Sequence, residues 1–118
     1  MIKRFAAVAL WVEDFTSVLH FYQDILGLDL ISHHGDVPQL KVGDGILVLV
    51  KGKLPPAIDT FPADFPLIAF EVNDLDKMLE TLIAENVELK SSIEERCDSR
   101  WIKVCDPAGN LIELMETK

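Results

Sequence analysis

Positive charge is scarce in this sequence. Its 118 residues carry 11 Lys and Arg against 20 Asp and Glu, which gives a formal net charge of −9. Nucleic-acid binders need clustered Lys and Arg to neutralise phosphates, and anionic membrane surfaces attract the same residues. The composition therefore predicts neither nucleic acid nor a membrane as a partner. It permits a cationic small molecule, because a negative field concentrates cations, but a role in solubility alone is the simpler explanation of the charge.

Cysteine and long apolar runs are also rare. Cys97 and Cys105 are the only two cysteines, with no CxxC spacing and no histidine nearby. This is neither a disulfide framework nor a zinc knuckle, so we expect a reduced, cytoplasmic protein. No apolar run approaches the ~20 residues that span a bilayer. The N-terminal stretch alternates like a strand and meets Glu13 and Asp14 directly, which predicts mature protein and not a signal peptide.

The sequence does contain an internal repeat. Residues 8–30, VALWVEDFTSVLHFYQDILGLDL, align with residues 68–89, IAFEVNDLDKMLETLIAENVEL, at an offset of 60. Residues 43–50, GDGILVLV, align with residues 108–115, AGNLIELM, at an offset of 65. Two copies predict a duplicated half-domain, because solenoids need more repeats.

Each copy predicts the element order βαβββ. An alternating apolar strand comes first, and Asp14 or Asp74 then caps an amphipathic helix with apolar residues at i, i+3, i+4 and i+7. Gly27 and Asn86 end the helices, because these residues best tolerate a left-handed backbone. Three shorter strands complete each copy, at 28–34, 37–42 and 45–51 in the first and at 86–92, 99–105 and 110–116 in the second.

A proline-rich stretch separates the two copies. Residues 51–66, KGKLPPAIDTFPADFP, contain four prolines, and proline cannot join a central sheet ladder. We therefore predict a linker at 52–65 between module one (1–51) and module two (66–118), within a single domain that spans 1–118.

This order of motifs resembles the vicinal oxygen chelate superfamily, which includes glyoxalase I, extradiol dioxygenases, and fosfomycin and bleomycin resistance proteins. The most specific pieces are VALWVEDFTSVLHFYQDILGLDL, IAFEVNDLDKML and DPAGNLIEL. The resemblance covers nearly the whole chain and implies the glyoxalase/bleomycin resistance fold. That fold is α+β, with two βαβββ modules in one chain whose curved mixed sheets surround a concave cavity. The shared motifs are fold motifs, so they carry little information about function.

The resemblance also implies where a metal would bind. Metal-dependent members take ligands, typically His or Gln, Glu, His and Glu, from the first and last strands of each module. The internal repeat places these positions at Ala7, Val48, Leu67 and Glu113. Only Glu113 has a lone pair to donate, whereas a catalytic divalent metal takes about three protein ligands. We therefore expect no metal.

The three histidines are not expected to replace the missing ligands. His20 lies in the first predicted helix, and His33 and His34 are consecutive strand residues, of which only one can face the cavity. An unusual site that combines one of them with Glu113 is the alternative. The sequence also lacks a glycine-rich phosphate loop and a dinucleotide fingerprint, and GDG at 43–45 predicts a hairpin turn. We therefore expect no cofactor.

Strand parity predicts which side chains face the ligand: Phe5, Trp11, Glu71, Trp101, Lys103, Glu113 and Met115. This lining is aromatic and apolar with a few polar groups, which is typical of a small-molecule pocket. In the alternative interpretation, the two tryptophans fill the sheet interior or a dimer seam and Glu71 is solvated. Glu113 would then pair with Lys103, since a buried carboxylate needs a partner. Cys105 is expected to act as a small buried hydrophobe.

Three functions remain open. In the first, the chain is a metal-independent small-molecule binding protein of the glyoxalase/bleomycin resistance type that sequesters a cationic or aromatic antibiotic-like compound. Trp11 and Trp101 would stack on rings, and Glu71 and Glu113 would meet positive charge. In the second, it is a glyoxalase-like lyase or dioxygenase-related enzyme with an atypical or metal-free site centred on Glu113. In the third, it is a degenerate member that acts through protein association. The resemblance also implies a homodimer.

Overall fold

The structure, a computed structural model, describes residues 1–34, 37–52 and 67–117. The chain divides into two compact units, Met1–Leu54 and Pro55–Lys118, and each unit contains one four-stranded mixed sheet. This is the predicted α+β fold, and within the described residues neither sheet closes into a barrel. The predicted linker at 52–65 lies outside the described residues, apart from Gly52.

The first unit consists of β1 (Ala7–Val12), a helical segment, β2 (Asp29–His34), β3 (Val37–Val42) and β4 (Gly45–Lys51). The strand order is β1-β4-β3-β2, with β1 parallel to β4 and the other pairs antiparallel. The predicted GDG turn connects β3 to β4, and Gly43 has a φ of 55° there.

The first helix differs from the prediction of a regular α-helix. It begins at the predicted cap, where the Asp14 carboxylate accepts from Thr16 N at 3.1 Å. After α1 (Phe15–Leu19) it widens into a π-helical segment, His20–Ile25, and the amide of Leu26 donates to the Phe21 carbonyl five residues back. The wider turn accompanies the burial of two consecutive aromatic rings, Phe21 and Tyr22, whose centroids lie 4.9 Å apart edge to face.

The second unit repeats this organisation with β5 (Ile68–Glu71), α2 (Leu75–Ala84), β6 (Glu94–Arg96), β7 (Ser99–Cys105) and β8 (Leu111–Thr117). The strand order is β5-β8-β7-β6, and β5 runs parallel to β8. Asp74 caps α2 by accepting from Lys77 N at 3.1 Å, and Asn86 follows the helix with a φ of 57°. No helix in the described part of the chain combines the length and apolar character needed to cross a membrane.

The predicted strand at 86–92 is wrong. Only Leu89 forms a bridge there, to Val104, and the edge strand β6 begins five residues later at Glu94. The hydroxyl of Ser91 accepts from the backbone amide of Lys103 at 3.0 Å, so a side chain takes the place of a strand carbonyl and interrupts the ladder. By contrast, β3, β4 and β7 have the predicted bounds.

The two halves repeat each other down to the pairing of individual residues. Ala9 lies opposite Val48 in the first sheet, and Ala69 lies opposite Glu113 in the second. These pairs are related by the same offsets, 60 and 65, that align the two copies in the sequence. The internal repeat is therefore a repeat of sheet register.

Period-two alternation gives each sheet one core face. In the second unit, Ile102, Val104, Ile112 and Leu114 are at most 1% exposed, and Leu75 and Leu82 of α2 are buried with them. The residues between them point to the opposite face. The core of the first unit has the same origin, and its buried members are Val12, Val18, Phe21, Tyr22, Leu40, Leu47 and Leu49.

The turn between β7 and β8 is fixed by one buried carboxylate. Asp106 is 4% exposed, and it accepts from Ala108 N at 2.9 Å, from Asn110 N at 2.8 Å and from Asn110 Nδ2 at 2.9 Å. Gly109 has a φ of 93°, in the left-handed region that favours glycine. This turn sets the register that places Lys103 opposite Glu113.

A second polar cluster joins β7 to α2. The Arg100 guanidinium contacts Asp76 at 3.0 Å and Glu116 at 3.7 Å. Its Nε lies 3.0 Å from Glu95 Oε1, but the contact is an ion pair without a hydrogen bond. Glu116 also accepts from Leu75 N at 2.9 Å, at the start of α2. The hydrogen bond and the charge of Arg100 lower the pKa of the Asp76 carboxyl.

We expect Asp106→Ala to lower the free energy of unfolding by about 3 kcal/mol, because two buried donors and one part-buried donor lose their charged acceptor. Asp98→Ala is the matched control, since Asp98 is an exposed turn carboxylate in the same unit, and it should change the free energy by less than about 0.5 kcal/mol. Urea unfolding measures both values. Equal effects of the two substitutions would show that the Asp106 turn is not structurally special.

We expect Asp76→Asn to make stability less dependent on acid pH. Because the folded pKa of Asp76 lies below its usual value, the contribution of this carboxylate is present above the unfolded pKa and is lost as the pH falls through the folded pKa. The variant should therefore be less stable than the parent at neutral pH and converge with it in acid. Thermal melts across pH test this, and Glu80→Gln, on the exposed side of the same helix, should show no such convergence.

Candidate functional site

One face of the second sheet is neither packed nor fully exposed. It lies opposite α2 and is called the open face here. Its members alternate with the buried core residues along three strands: Ala69, Glu71, Trp101, Lys103, Cys105, Leu111, Glu113 and Met115. All but Ala69 and Glu71 are half-buried. This is the face that the sequence predicts for ligand contact.

Strand pairing arranges these side chains in rows. Lys103, Glu113 and Ala69 form one row across β7, β8 and β5, and Trp101, Met115 and Glu71 form the next. Neighbours within a row are about 4.8 Å apart and the rows are about 7 Å apart, from the general geometry of sheets. Because Ala69 is small, the space on one side of Glu113 is not filled by the neighbouring strand.

Glu113 has no polar partner within the described part of the chain. Its cross-strand neighbour is Lys103, as predicted, but no ion pair or hydrogen bond joins the two side chains. The Lys103 side chain likewise makes no hydrogen bond or ion pair with any described residue, although its backbone amide donates to Ser91. The alternative in which Glu113 is neutralised by Lys103 is therefore not the arrangement in this structure. Two opposite, half-buried charges lie side by side without a direct contact.

Unlike Glu113, Glu71 has a polar partner among the described residues. It is exposed at the end of β5, and its carboxylate accepts a hydrogen bond from the Thr117 hydroxyl at the end of β8. Its row neighbour is Met115. Glu71 thus lies at the margin of the open face, and the hydrogen bond fixes its carboxylate there.

A further ion pair borders the open face, and sequence reasoning missed it. Lys90 Nζ lies 2.9 Å from Glu88 Oε1, and the backbones of both residues bond to β7, through Lys103 O and Cys105 N. Burial raises the pKa of the Cys105 thiol, with Glu88 adding to the rise and Lys90 opposing it. This agrees with a Cys105 that acts as a small hydrophobe. The sequence did contain a signal for this ion pair. Glu88 and Lys90 flank Leu89, and because Leu89 pairs with Val104, its two charged neighbours lie together on the other side of the segment.

The remaining predicted residues belong to the first unit. Trp11 lies on β1 and is 50% exposed. Its ring packs on Gly52, where a Cβ atom would lie 2.1 Å from Trp11 Cε3. Phe5 precedes the start of β1 and is 91% exposed, so it does not lie on the sheet as predicted. The structure therefore brings five of the seven predicted residues onto one face: Glu71, Trp101, Lys103, Glu113 and Met115.

The residues at the implied metal positions do not fit a metal. Ala7 and Val48 lie in the first sheet and Leu67 precedes β5, and none of these side chains has a donor atom. Among residues 1–34, 37–52 and 67–117, no group of three His, Cys, Asp or Glu side chains is placed to hold a metal ion. The side chains of His33 and His34 lie outside the described part, so the alternative site with Glu113 stays a prediction.

A family model described as Glyoxalase/Bleomycin resistance protein/Dioxygenase superfamily matches residues 4–114 of the chain. No match to this chain was found among curated proteins. Among solved structures, the genomically encoded fosfomycin resistance protein FosX from Listeria monocytogenes is similar with a TM-score of 0.82 and 21% identity, over 100% of this chain and 96% of that one.

Two further structures illustrate the range of similar proteins. The antibiotic binding protein TnmS3 from a Streptomyces species has a TM-score of 0.77 and 24% identity, covering 99% of this chain and 98% of that one. Lactoylglutathione lyase from Agrobacterium tumefaciens has a TM-score of 0.74 and 21% identity, covering 98% and 94%. At these identities the likeness shows the fold alone.

We expect Gly52→Ala to displace the Trp11 ring, because the new methyl group would overlap it. In a Trp101→Phe background, where Trp11 is the only tryptophan, its fluorescence emission should shift to longer wavelength. Gly45→Ala, at the other end of β4, is the control, since the nearest atom there is 3.4 Å away. Unchanged emission in Gly52→Ala would mean that Trp11 does not pack on this glycine.

Proposed function

The chain belongs to the Glyoxalase/Bleomycin resistance protein/Dioxygenase superfamily, and we propose that it is a metal-independent small-molecule binding protein. The ligand is a cationic, aromatic compound of the antibiotic type, and the open face of the second sheet binds it. The observation that carries this proposal is the position of Trp101 and Glu113 on adjacent strands of that face, both half-buried, with no partner for the carboxylate among the described residues.

These two side chains suit a positively charged ring. The face of an indole attracts cations, and aromatic ligands stack on it in offset geometry. The Glu113 carboxylate is diagonal to Trp101, and such neighbours are separated by about 7–8 Å, which one small molecule can bridge. Because Glu113 is half-buried, its attraction for a cation is screened less than that of an exposed carboxylate.

The exposure of the two tryptophan side chains favours ligand binding over the alternative in which they fill the sheet interior. Trp101 is half-buried and Trp11 is 50% exposed, so neither ring is enclosed by its own sheet. An apolar surface with a few polar groups is the usual composition of a ligand site. The names of the similar fosfomycin resistance and antibiotic binding proteins agree with an antibiotic as the ligand, by analogy of fold.

A reduced, cytoplasmic homodimer is part of this proposal. Cys97 and Cys105 are free thiols, which agrees with a reducing compartment. Two-fold dimers are the commonest assemblies of soluble proteins, and the family resemblance implies one here.

We expect benzyltrimethylammonium and bleomycin to raise the melting temperature of chelator-treated protein. A ligand that binds only the folded state at one hundred times its Kd adds about 2.7 kcal/mol, a shift on the order of 10 °C for a chain of this size. Glu113→Gln and Trp101→Ala should each reduce the shift. Glu80→Gln removes the same charge from α2, away from the open face, and should leave the shift unchanged.

A parallel series with Ni²⁺, Zn²⁺, Mn²⁺, Fe²⁺ and Co²⁺ distinguishes binding from metal-dependent catalysis. If a metal stabilises the protein and Glu113→Gln abolishes the effect, the proposal is wrong and a metalloenzyme centred on Glu113 replaces it. If neither cationic compound shifts the melting temperature at saturating concentration, the open face is not a site for such compounds.

A further inference from the structure

We propose that the ligand of the open face is a zwitterion, whose positive group binds Glu113 and whose negative group binds Lys103. This inference rests on the proposed function, because it assumes that an aromatic compound occupies the open face. It goes further by assigning a chemical class to the ligand and a role to the lysine.

The first observation is the juxtaposition of the two charges. Lys103 and Glu113 are direct cross-strand partners in the antiparallel β7–β8 pair. Both side chains are half-buried, and neither has an ion pair or hydrogen bond to any described residue. A partly desolvated charge without a partner is unfavourable, and a bound group of opposite charge removes that cost.

The second observation is that the neighbouring cation is already neutralised. Lys90 lies beside Lys103 on the segment next to β7, where its backbone amide donates to Lys103 O, and its ammonium pairs with Glu88 at 2.9 Å. Within the described part of the open face, Lys103 is therefore the ammonium that remains available to an anion. Trp101, two residues earlier on the same strand, lies beside it in the next row and supplies the aromatic surface.

The third observation comes from the other copy of the repeat. The equivalent row of the first sheet consists of Gln39, Val48 and Ala9, which carry no charge. The same strand register thus forms with a neutral row, and the fold itself does not require Lys103 and Glu113. We therefore attribute the charges of Lys103 and Glu113 to the ligand that the open face binds.

A ligand that is only a cation is attracted by Glu113 but is also repelled by Lys103. An ammonium next to Glu113 would lie about one strand spacing, ~5 Å, from Lys103, which is within the Debye length of about 8 Å at physiological salt. The repulsion would offset part of the attraction to Glu113. An anionic group on the same molecule, directed at Lys103, converts that repulsion into a second charge-assisted contact.

Three probes with one ring test this inference: phenylalanine, which is a zwitterion, phenethylamine, which keeps only the ammonium, and 3-phenylpropionate, which keeps only the carboxylate. Titration calorimetry gives the Kd of each for the parent protein. We expect phenylalanine to bind about tenfold more tightly than either single-charge probe, because a hydrogen bond to a charged group contributes about that factor.

Two variants assign the charges to residues. Lys103→Gln should abolish the preference for phenylalanine over phenethylamine, and Glu113→Gln should abolish the preference over 3-phenylpropionate. Lys41→Gln is the matched control, since Lys41 lies on β3, the counterpart of β7, opposite the uncharged Ile46, and it should preserve both preferences. The melting temperature of each unliganded variant shows that it folds.

The possible failures are distinguishable. If phenethylamine binds as tightly as phenylalanine, or if Lys103→Gln leaves the preference intact, the zwitterion inference is wrong while aromatic cation binding stands. If none of the three probes binds and benzyltrimethylammonium and bleomycin also fail to stabilise the protein, the proposed function fails and this inference fails with it.

Discussion

The pairing of β7 with β8 is the constraint on which the rest of the second unit depends. The Asp106 carboxylate holds the connecting turn, and the turn sets the register of every residue on both strands. Side chains alternate between faces, so a slip of one residue would turn Lys103 and Glu113 toward α2 and Ile102 toward solvent. The positions of Lys103 and Glu113 therefore depend on a turn whose residues lie outside the open face.

The same alternation gives the two faces of the sheet different roles. Ile102 and Ile112 are buried against the helix side, and that face supplies the hydrophobic stabilisation of the unit. The open face does not form part of the core, so it can carry charged side chains whose full burial would be unfavourable. Arg100 and Glu116 connect β7 and β8 to the start of α2 and keep the sheet and helix in one arrangement. The chemistry of the open face is supported by a scaffold whose stability comes from elsewhere.

Local patterns predicted much of this fold, because they depend on residues close in sequence. The bounds of β3, β4 and β7 were predicted correctly, strand parity predicted the faces of β7, and the predicted helix ends Gly27 and Asn86 have left-handed backbone conformations. The internal repeat predicted the element order of both halves, and strand parity predicted the residues of the open face. These features need no knowledge of long-range contacts.

The features that were missed depend on packing and on individual side-chain contacts. The π-helical segment accompanies the burial of Phe21 and Tyr22 in the core, which helical periodicity alone does not indicate. The loss of the strand at 86–92 depends on Ser91 reaching Lys103, twelve residues away. The side-chain positions of Lys103 and Glu113 likewise required the structure, because strand register predicts adjacency but not whether two long side chains meet.

The central claim is that the open face of the second sheet binds an aromatic cation without a metal. The most direct measurement is a map of ¹⁵N and methyl chemical-shift changes when benzyltrimethylammonium is added to chelator-treated protein. The account predicts the largest changes at the Trp101 indole N–H, at the Met115 methyl and at the amides of β7 and β8. Changes confined to α2, or changes at the open face that require a divalent metal, would contradict it.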